Sequence, residues 1–174
     1  MQKTLVEKKI NLPYCCTMKL KTLIVYGSKR GKTAEMAGQI MDVLAAGGIE
    51  AKVLNAWEAS VRDILGADVL VFGSSTWADG DLQSDFIELE RELESADLRG
   101  KYAAVFGPGN SRFPRFCEAV EILQARLKNC GARLINESLR IDRLAGSDKA
   151  ETEAWAEGLA AGIMELEKNN ETST

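Results

Sequence analysis

Short apolar runs and amphipathic helical patterns alternate along almost the whole chain, and a sequence built this way has few folds open to it. The runs occupy residues 20–26, 51–54, 69–72, 103–106 and 134–141. They have strand length and are mostly apolar on both faces, as strands buried inside a parallel sheet are. Between them Met36, Ala37, Ile40, Met41 and Leu44 recur at helical spacing and stop at Gly47-Gly48, while Phe86, Leu89 and Leu93 form a second stripe ahead of Gly100. Phe116, Val120, Leu123 and Leu127 form a third, ended by Gly131, and a last helix follows a Ser147 cap with Trp155, Leu159, Ile163 and Leu166 facing the sheet. The helical pattern of 57–65 is weak. Parallel neighbours need crossover connections, and right-handed crossovers lay helices on both faces. The expectation is an α/β domain with a doubly wound, five-stranded parallel sheet.

With 174 residues and 45% apolar composition the chain can bury one substantial core, assigned to a single domain over residues 18–167. Residues 1–17 stand outside the pattern and are expected to be a flexible N-terminal extension, and the polar residues 168–174 a C-terminal tail. A net charge of −4 disfavours nucleic acid as a partner, because neutralising phosphates needs a basic surface. No apolar run approaches the roughly 20 residues that span a bilayer, and no charged-then-apolar leader precedes Met18. A cytoplasmic protein with no membrane insertion follows as the expectation.

The chain has no histidine, which removes serine–histidine hydrolases, cysteine–histidine proteases and most zinc enzymes together. Chemistry here is expected to belong to a cofactor. The four cysteines do not form a disulfide framework: Cys15 and Cys16 are adjacent, and Cys117 and Cys130 fall at opposite ends of one predicted helix. At about 1.5 Å per residue that helix separates the second pair by about 20 Å, too far for a bridge.

Three loops carry ligand chemistry, each following a predicted strand and so emerging at one sheet edge. In Gly27-Ser28-Lys29-Arg30-Gly31-Lys32-Thr33 the glycines allow tight curvature, Ser28 and Thr33 offer hydroxyls, and the following helix points free amides at an anion. Lys29, Arg30 and Lys32 add positive potential, so a phosphate is the expected occupant. Gly31-Lys32-Thr33 copies the end of a nucleotide-triphosphatase loop, but Gly27 and Gly31 enclose three residues where that loop needs four. The strand 69–72 also ends in Gly73 instead of an aspartate able to organise magnesium. In Ser75-Thr76-Trp77-Ala78-Asp79-Gly80 the tryptophan is set among small and polar residues, suited to stacking on a flat ring. The third loop, Gly107-Pro108-Gly109-Asn110-Ser111-Arg112-Phe113, brings a second aromatic to the same edge. A phosphate cradle facing two aromatics points to flavin mononucleotide, with the alternative that Trp77 covers the sheet and Phe113 staples the next helix. Trp57 and Trp155 are expected to be structural.

At these residues the chain resembles the flavodoxins, specifically the short-chain bacterial type, from about Met18 to Glu165. The resemblance rests on Tyr26-Gly27-Ser28 with Gly31 and Thr33, on Ser75-Thr76-Trp77 with Asp79, and on Phe106-Gly107, Gly109, Ser111 and Phe116-Cys117. Leu127-Lys128-Asn129 and Leu139-Arg140-Ile141-Asp142 extend it. It implies strand order 2-1-3-4-5, non-covalent FMN, and single-electron shuttling between larger redox proteins by a carrier and not an enzyme. Residues 28–33 would hold the phosphate, Trp77 and Phe113 would pack on the two flavin faces, and backbone near Asp79 and Asn110 would meet the ring edge. Ser75, Thr76, Ala78, Gly107, Gly109, Arg112 and Phe116 complete the expected cofactor contacts.

Several residues depart from the family pattern. Lys29, Arg30 and Lys32 stand where family phosphate loops carry neutral threonine and asparagine, and Phe113 where tyrosine is usual. Ala78 replaces the glycine at which flavodoxins flip a peptide toward flavin N5. These departures keep open a second reading, a flavodoxin-like interaction module without normal FMN redox function. A quinone reductase is disfavoured by the absence of long insertions. Between Asp79 and Asp97 lie eight acids against Arg91 alone, either a docking face for basic redox partners near the flavin edge or a solvated helix face. No apolar stripe is left over to require a dimer, so a monomer is expected.

Overall fold

A computed structural model of the chain describes residues 19–77, 80–146 and 148–172. The expected N-terminal extension with Cys15 and Cys16, the loop residues Ala78 and Asp79, the Ser147 cap and the last two residues of the expected tail lie outside the described residues.

Strand β1 (Thr22–Gly27) leads into helix α1 (Lys32–Ala46), β2 (Ala51–Asn55), the short α2 (Val61–Leu65) and β3 (Val69–Ser74). Two residue pairs, β4 (Thr76–Trp77) and β5 (Asp81–Leu82), form a small antiparallel ladder before α3 (Ser84–Glu92). Then come β6 (Tyr102–Gly109), α4 (Glu118–Asn129), β7 (Arg133–Leu134), β8 (Leu139–Asp142) and α5 (Asp148–Thr172). The main sheet runs β2-β1-β3-β6, with β7 and β8 both on the far side of β6, and every pairing in it is parallel. Gly27 is level with Ser74, and Gly73 with Phe106. The loops that follow β1, β3 and β6 therefore leave the sheet at one edge.

Period-two alternation divides the strands between two cores. Leu23, Val25, Leu70, Phe72, Ala103 and Val105 face one side and pack against Ile64 of α2, Phe86 and Leu89 of α3, and Val120, Leu123 and Leu127 of α4. Ile24, Val69, Val71, Ala104 and Phe106 face the other, against Met36, Ile40 and Leu44 of α1 and Leu159 and Ile163 of α5. Each of these side chains is buried, and burial of one Val, Leu, Ile or Phe contributes about 1.5–3 kcal/mol, so the doubly wound arrangement is what satisfies both faces of the strands.

Some elements differ from the sequence expectation. The run 134–141 becomes two short strands, because after Ile135 N bonds Ala103 O at 3.0 Å the chain turns its polar groups to the helices instead of to β6. Asn136 Nδ2 donates to Trp155 O at 3.1 Å, Trp155 Nε1 to Glu137 O at 2.6 Å, and Ser138 Oγ to Gln124 Oε1 at 2.6 Å. Those bonds make Trp155 structural, as expected. Trp57 is not: it is 68% exposed in the turn after β2, where Ala56 takes the buried place. The weak 57–65 pattern condenses to five helical residues, started by a reciprocal capping box between Ser60 and Asp63. Cys117 and Cys130 cap opposite ends of α4, both buried and unbridged. Helix α5 continues to Thr172, well into the residues expected to form a tail.

Candidate functional site

All three predicted loops meet in one cavity of about 430 Å³ at the carboxyl edge of the sheet. Cofactor-sized ligands occupy pockets of roughly 300–1,000 Å³, so the space suits one. Ser28, Arg30, Lys32 and Thr33 line it from the first loop, Ser75, Thr76 and Trp77 from the second, and Gly109, Asn110 and Phe113 from the third.

The first loop closes at Gly31, whose φ of 83° is the left-handed conformation that a Cβ would oppose. A glycine there also leaves α1 without a side-chain cap, and Glu35 N is the first amide to bond back, to Gly31 O at 2.8 Å. The amides of Lys32, Thr33 and Ala34 stand ahead of that first helical bond, and Thr33, 1% exposed, brings a hydroxyl beside them. This is the donor set of an anion cradle. Its cations are not equivalent. Lys32 Nζ lies 3.0 Å from Asp148 at the start of α5 and 3.3 Å from Glu35, and the Asp148 contact raises its pKa above the ordinary lysine value. Lys29 is exposed with Nζ 4.9 Å above the Trp77 ring, and the Arg30 guanidinium is 6.0 Å from the same ring centre.

In the second loop side-chain bonds fix the backbone. Gln83 N donates to Ser74 Oγ at 3.3 Å, Trp77 Nε1 to Ser75 Oγ at 3.2 Å, and Ala119 N in the first turn of α4 to Thr76 Oγ1 at 3.1 Å. The third loop is held mainly by its own turn and by the end of β8. Arg112 N donates to Asn110 Oδ1 at 3.0 Å and Phe113 N to Asn110 O at 3.1 Å. Asp142 Oδ1 accepts from Ser111 N at 3.2 Å and Leu144 N at 3.1 Å, and Arg143 N and Nε both donate to Gly109 O, at 3.2 and 3.3 Å. These bonds, the Ser111 side chain foremost, hold the Asp142 carboxyl below the usual carboxylate range.

Five described residues of the predicted contact set do not line the cavity: Lys29 and Gly31 of the first loop, and Gly107, Arg112 and Phe116. Gly107 lies beneath it, where a Cβ would overlap the Ser74 carbonyl oxygen and come within 2.7 Å of Val120 Cγ2; its role in the fold is to let β3 and β6 run close together. Arg112 is exposed at the rim, and Phe116 packs on the core below Gly109. Five lining residues were missed: Pro108, Pro114, Arg115, Cys117 and Arg143. The first four lie on or beside the third loop. Arg143 follows a predicted strand at the same edge, a position that the strand register alone would have flagged. Cys117 is the one described non-glycine residue with positive φ, 55°, at the start of α4. Its Sγ donates to Gly107 O at 3.5 Å, and burial pushes its thiol up to about 12. Arg30, Lys32, Arg115 and Arg143 line the cavity, and among the described residues none that lines it is a carboxylate. The arrangement can bind an anion with a flat ring attached.

A family model described as flavodoxin matches residues 24–166. Over 146 residues the chain is 39% identical to a flavodoxin of Maridesulfovibrio salexigens, an alignment covering 82% of this chain and 99% of that one. A flavodoxin of Nitratidesulfovibrio vulgaris is 36% identical over 137 residues, covering 77% and 93% respectively. The crystal structure of oxidised flavodoxin 2 from Bacillus cereus superposes with a TM-score of 0.75 at 33% identity, across 84% of this chain and 99% of that one.

Proposed function

The chain belongs to the flavodoxin family, and from that premise we propose that the cavity at the carboxyl edge of the sheet is where its FMN is held, phosphate against residues 28–33 and ring between Trp77 and Phe113. The protein is a small FMN-binding electron-transfer protein, a carrier and not an enzyme, and nothing favours the alternative of a flavin-free module. The observation that carries the site assignment is the meeting of the cradle, Trp77 and Phe113 in one cavity. When bound, FMN supplies the single-electron chemistry. The α1 amides, Ser28 and Thr33 would take the phosphate oxygens, with Arg30 adding charge and Lys32, shared with Asp148 and Glu35, adding less. Trp77 and Phe113 would clasp the ring and keep water from its faces, each stack contributing about 0.5–1.5 kcal/mol beyond burial.

In this reading redox partners dock near the flavin edge. The acidic segment 79–97 offers a narrower face than its composition suggests: Glu90 pairs with Arg126 at 2.6 Å, Glu94 faces the same arginine at 3.9 Å and Asp97 pairs with Arg99 at 2.6 Å, which leaves Asp81, Asp85, Glu88 and Glu92 among the described residues for a basic partner. The protein would act as a monomer, its functional unit residues 18–167, in the cytoplasm, where free thiols such as Cys117 and Cys130 persist. Among the described residues no helix is long and apolar enough to cross a membrane.

Titrating the flavin-free protein with FMN and with riboflavin, followed by visible absorbance, tests the assignment. Neutralising Lys29, Arg30 and Lys32 together should weaken FMN far more than riboflavin, since only FMN bears the phosphate. Equal losses for the two ligands would remove the phosphate from this loop.

A further inference from the structure

We propose that the mouth of the cavity docks a redox partner whose facing surface is acidic, an inference that rests on the FMN reading above. At the mouth stand two apolar side chains in the open, Phe113 at 64% and Leu144 at 49% exposure. They come from different loops, and one carboxylate oxygen, Asp142 Oδ1, bonds the amides of both Ser111 and Leu144, so the loops are held side by side. Around them are arginines: Arg112 and Arg115 flank Phe113 in sequence, Arg143 precedes Leu144, and Arg30 stands across the cavity. Among the described residues none of these four forms an ion pair, in contrast to the acids of the 79–97 segment, of which Glu90, Glu94 and Asp97 already face Arg126 or Arg99.

An apolar centre ringed by arginines is the anatomy of a protein interface, and a guanidinium presents paired donors that match a carboxylate. The sign matters because the chain as a whole carries −4. A partner steered by net charge alone would be basic and would meet the acids of the 79–97 segment, whereas an acidic patch on a partner is drawn to this rim and turned toward the cavity.

Small ions of either sign test this in the holoprotein, where the charge of the cofactor is included. Hexacyanochromate(III), a paramagnetic trianion, and hexaamminechromium(III), a trication, are added separately to the ¹⁵N-labelled protein, and line broadening locates each. The trianion should broaden residues 109–115 and 143–146, and R112Q should reduce that broadening several-fold while R112K retains it. In parallel, dithionite-reduced holoprotein passes one electron to ferricyanide, giving ferrocyanide. That rate should fall as salt is added, by about tenfold or more. Trication broadening at the rim, or a ferricyanide rate that rises with salt, overturns the docking face alone. A protein that takes up no FMN overturns the docking face and the cofactor reading together.

Discussion

Gly107→Ala separates a glycine kept for packing from one kept for a ligand. The added Cβ would overlap the Ser74 carbonyl oxygen and sit 2.7 Å from Val120 Cγ2. The first is a backbone atom of β3, whose place is set by the register of Gly27 with Ser74, and Val120 is fully buried, so neither neighbour yields cheaply. Overpacking of this kind costs about 1–3 kcal/mol, and with a backbone atom involved the upper end applies. For a domain of this size each kcal/mol moves Tm by roughly 2–4 °C, which gives a fall of about 6–12 °C. Gly38→Ala is the control. It adds the same methyl inside α1, where nothing lies within 4 Å, and should stabilise by about 0.5–1 kcal/mol, raising Tm by roughly 1–4 °C. Thermal unfolding of the flavin-free proteins by circular dichroism reads both. Because the Ser74 carbonyl leads directly into the loop of Ser75, Thr76 and Trp77, G107A should also weaken FMN. A G107A melting point within about 1 °C of the parent would refute the packing argument.

Trp77→Ala should weaken FMN by roughly 1–3 kcal/mol through lost stacking and burial, read by flavin fluorescence titration, and an unchanged Kd would mean that the indole does not touch the ring. Cys117 gives a pH dependence. Its folded thiol titrates near 12 because burial disfavours the thiolate, against an ordinary value of 9.0, so the unfolded chain loses this proton first as pH rises. The stabilisation is complete below about pH 9 and is lost as pH climbs toward 12. Denaturant midpoints across that window should fall more steeply for the parent than for C117A, and parallel curves would show that the thiol is not desolvated.

How much of this was legible follows from the range of the interactions concerned. The strands were readable because burial on both faces of a parallel sheet writes itself locally, in runs such as 69–72, and helix ends at Gly47 and Gly131 carry their own backbone chemistry. The cavity was readable for a related reason: once β1, β3 and β6 are parallel neighbours, the loops that follow them must share an edge. The split of 134–141 was not readable, since it depends on Asn136 and Glu137 finding the distant Trp155. Trp57 misled because its type argues for burial while its place, one residue after Ala56 in a turn, decides for exposure.

The same distinction explains the parts of the site that went unseen. Thr76 reads as a loop hydroxyl free for a ligand, yet it is bonded to the Ala119 amide, 43 residues on, and so ties the second loop to α4. Lys32 reads as a phosphate cation, yet Asp148 holds it across the gap between α1 and α5. Asp142 reads as the end of a strand, yet one of its oxygens fastens the loop that carries Phe113 to the turn that carries Leu144. In each case local sequence supplies a group with the right chemistry, and the fold then decides whether that group faces the ligand or holds another loop in position. Charge is redistributed by the same rule. Lys32 is claimed by carboxylates and Glu90 and Asp97 by arginines, whereas Arg30, Arg112, Arg115 and Arg143 form no ion pair among the described residues, so cations stand ready at the cavity mouth although the chain is negative overall.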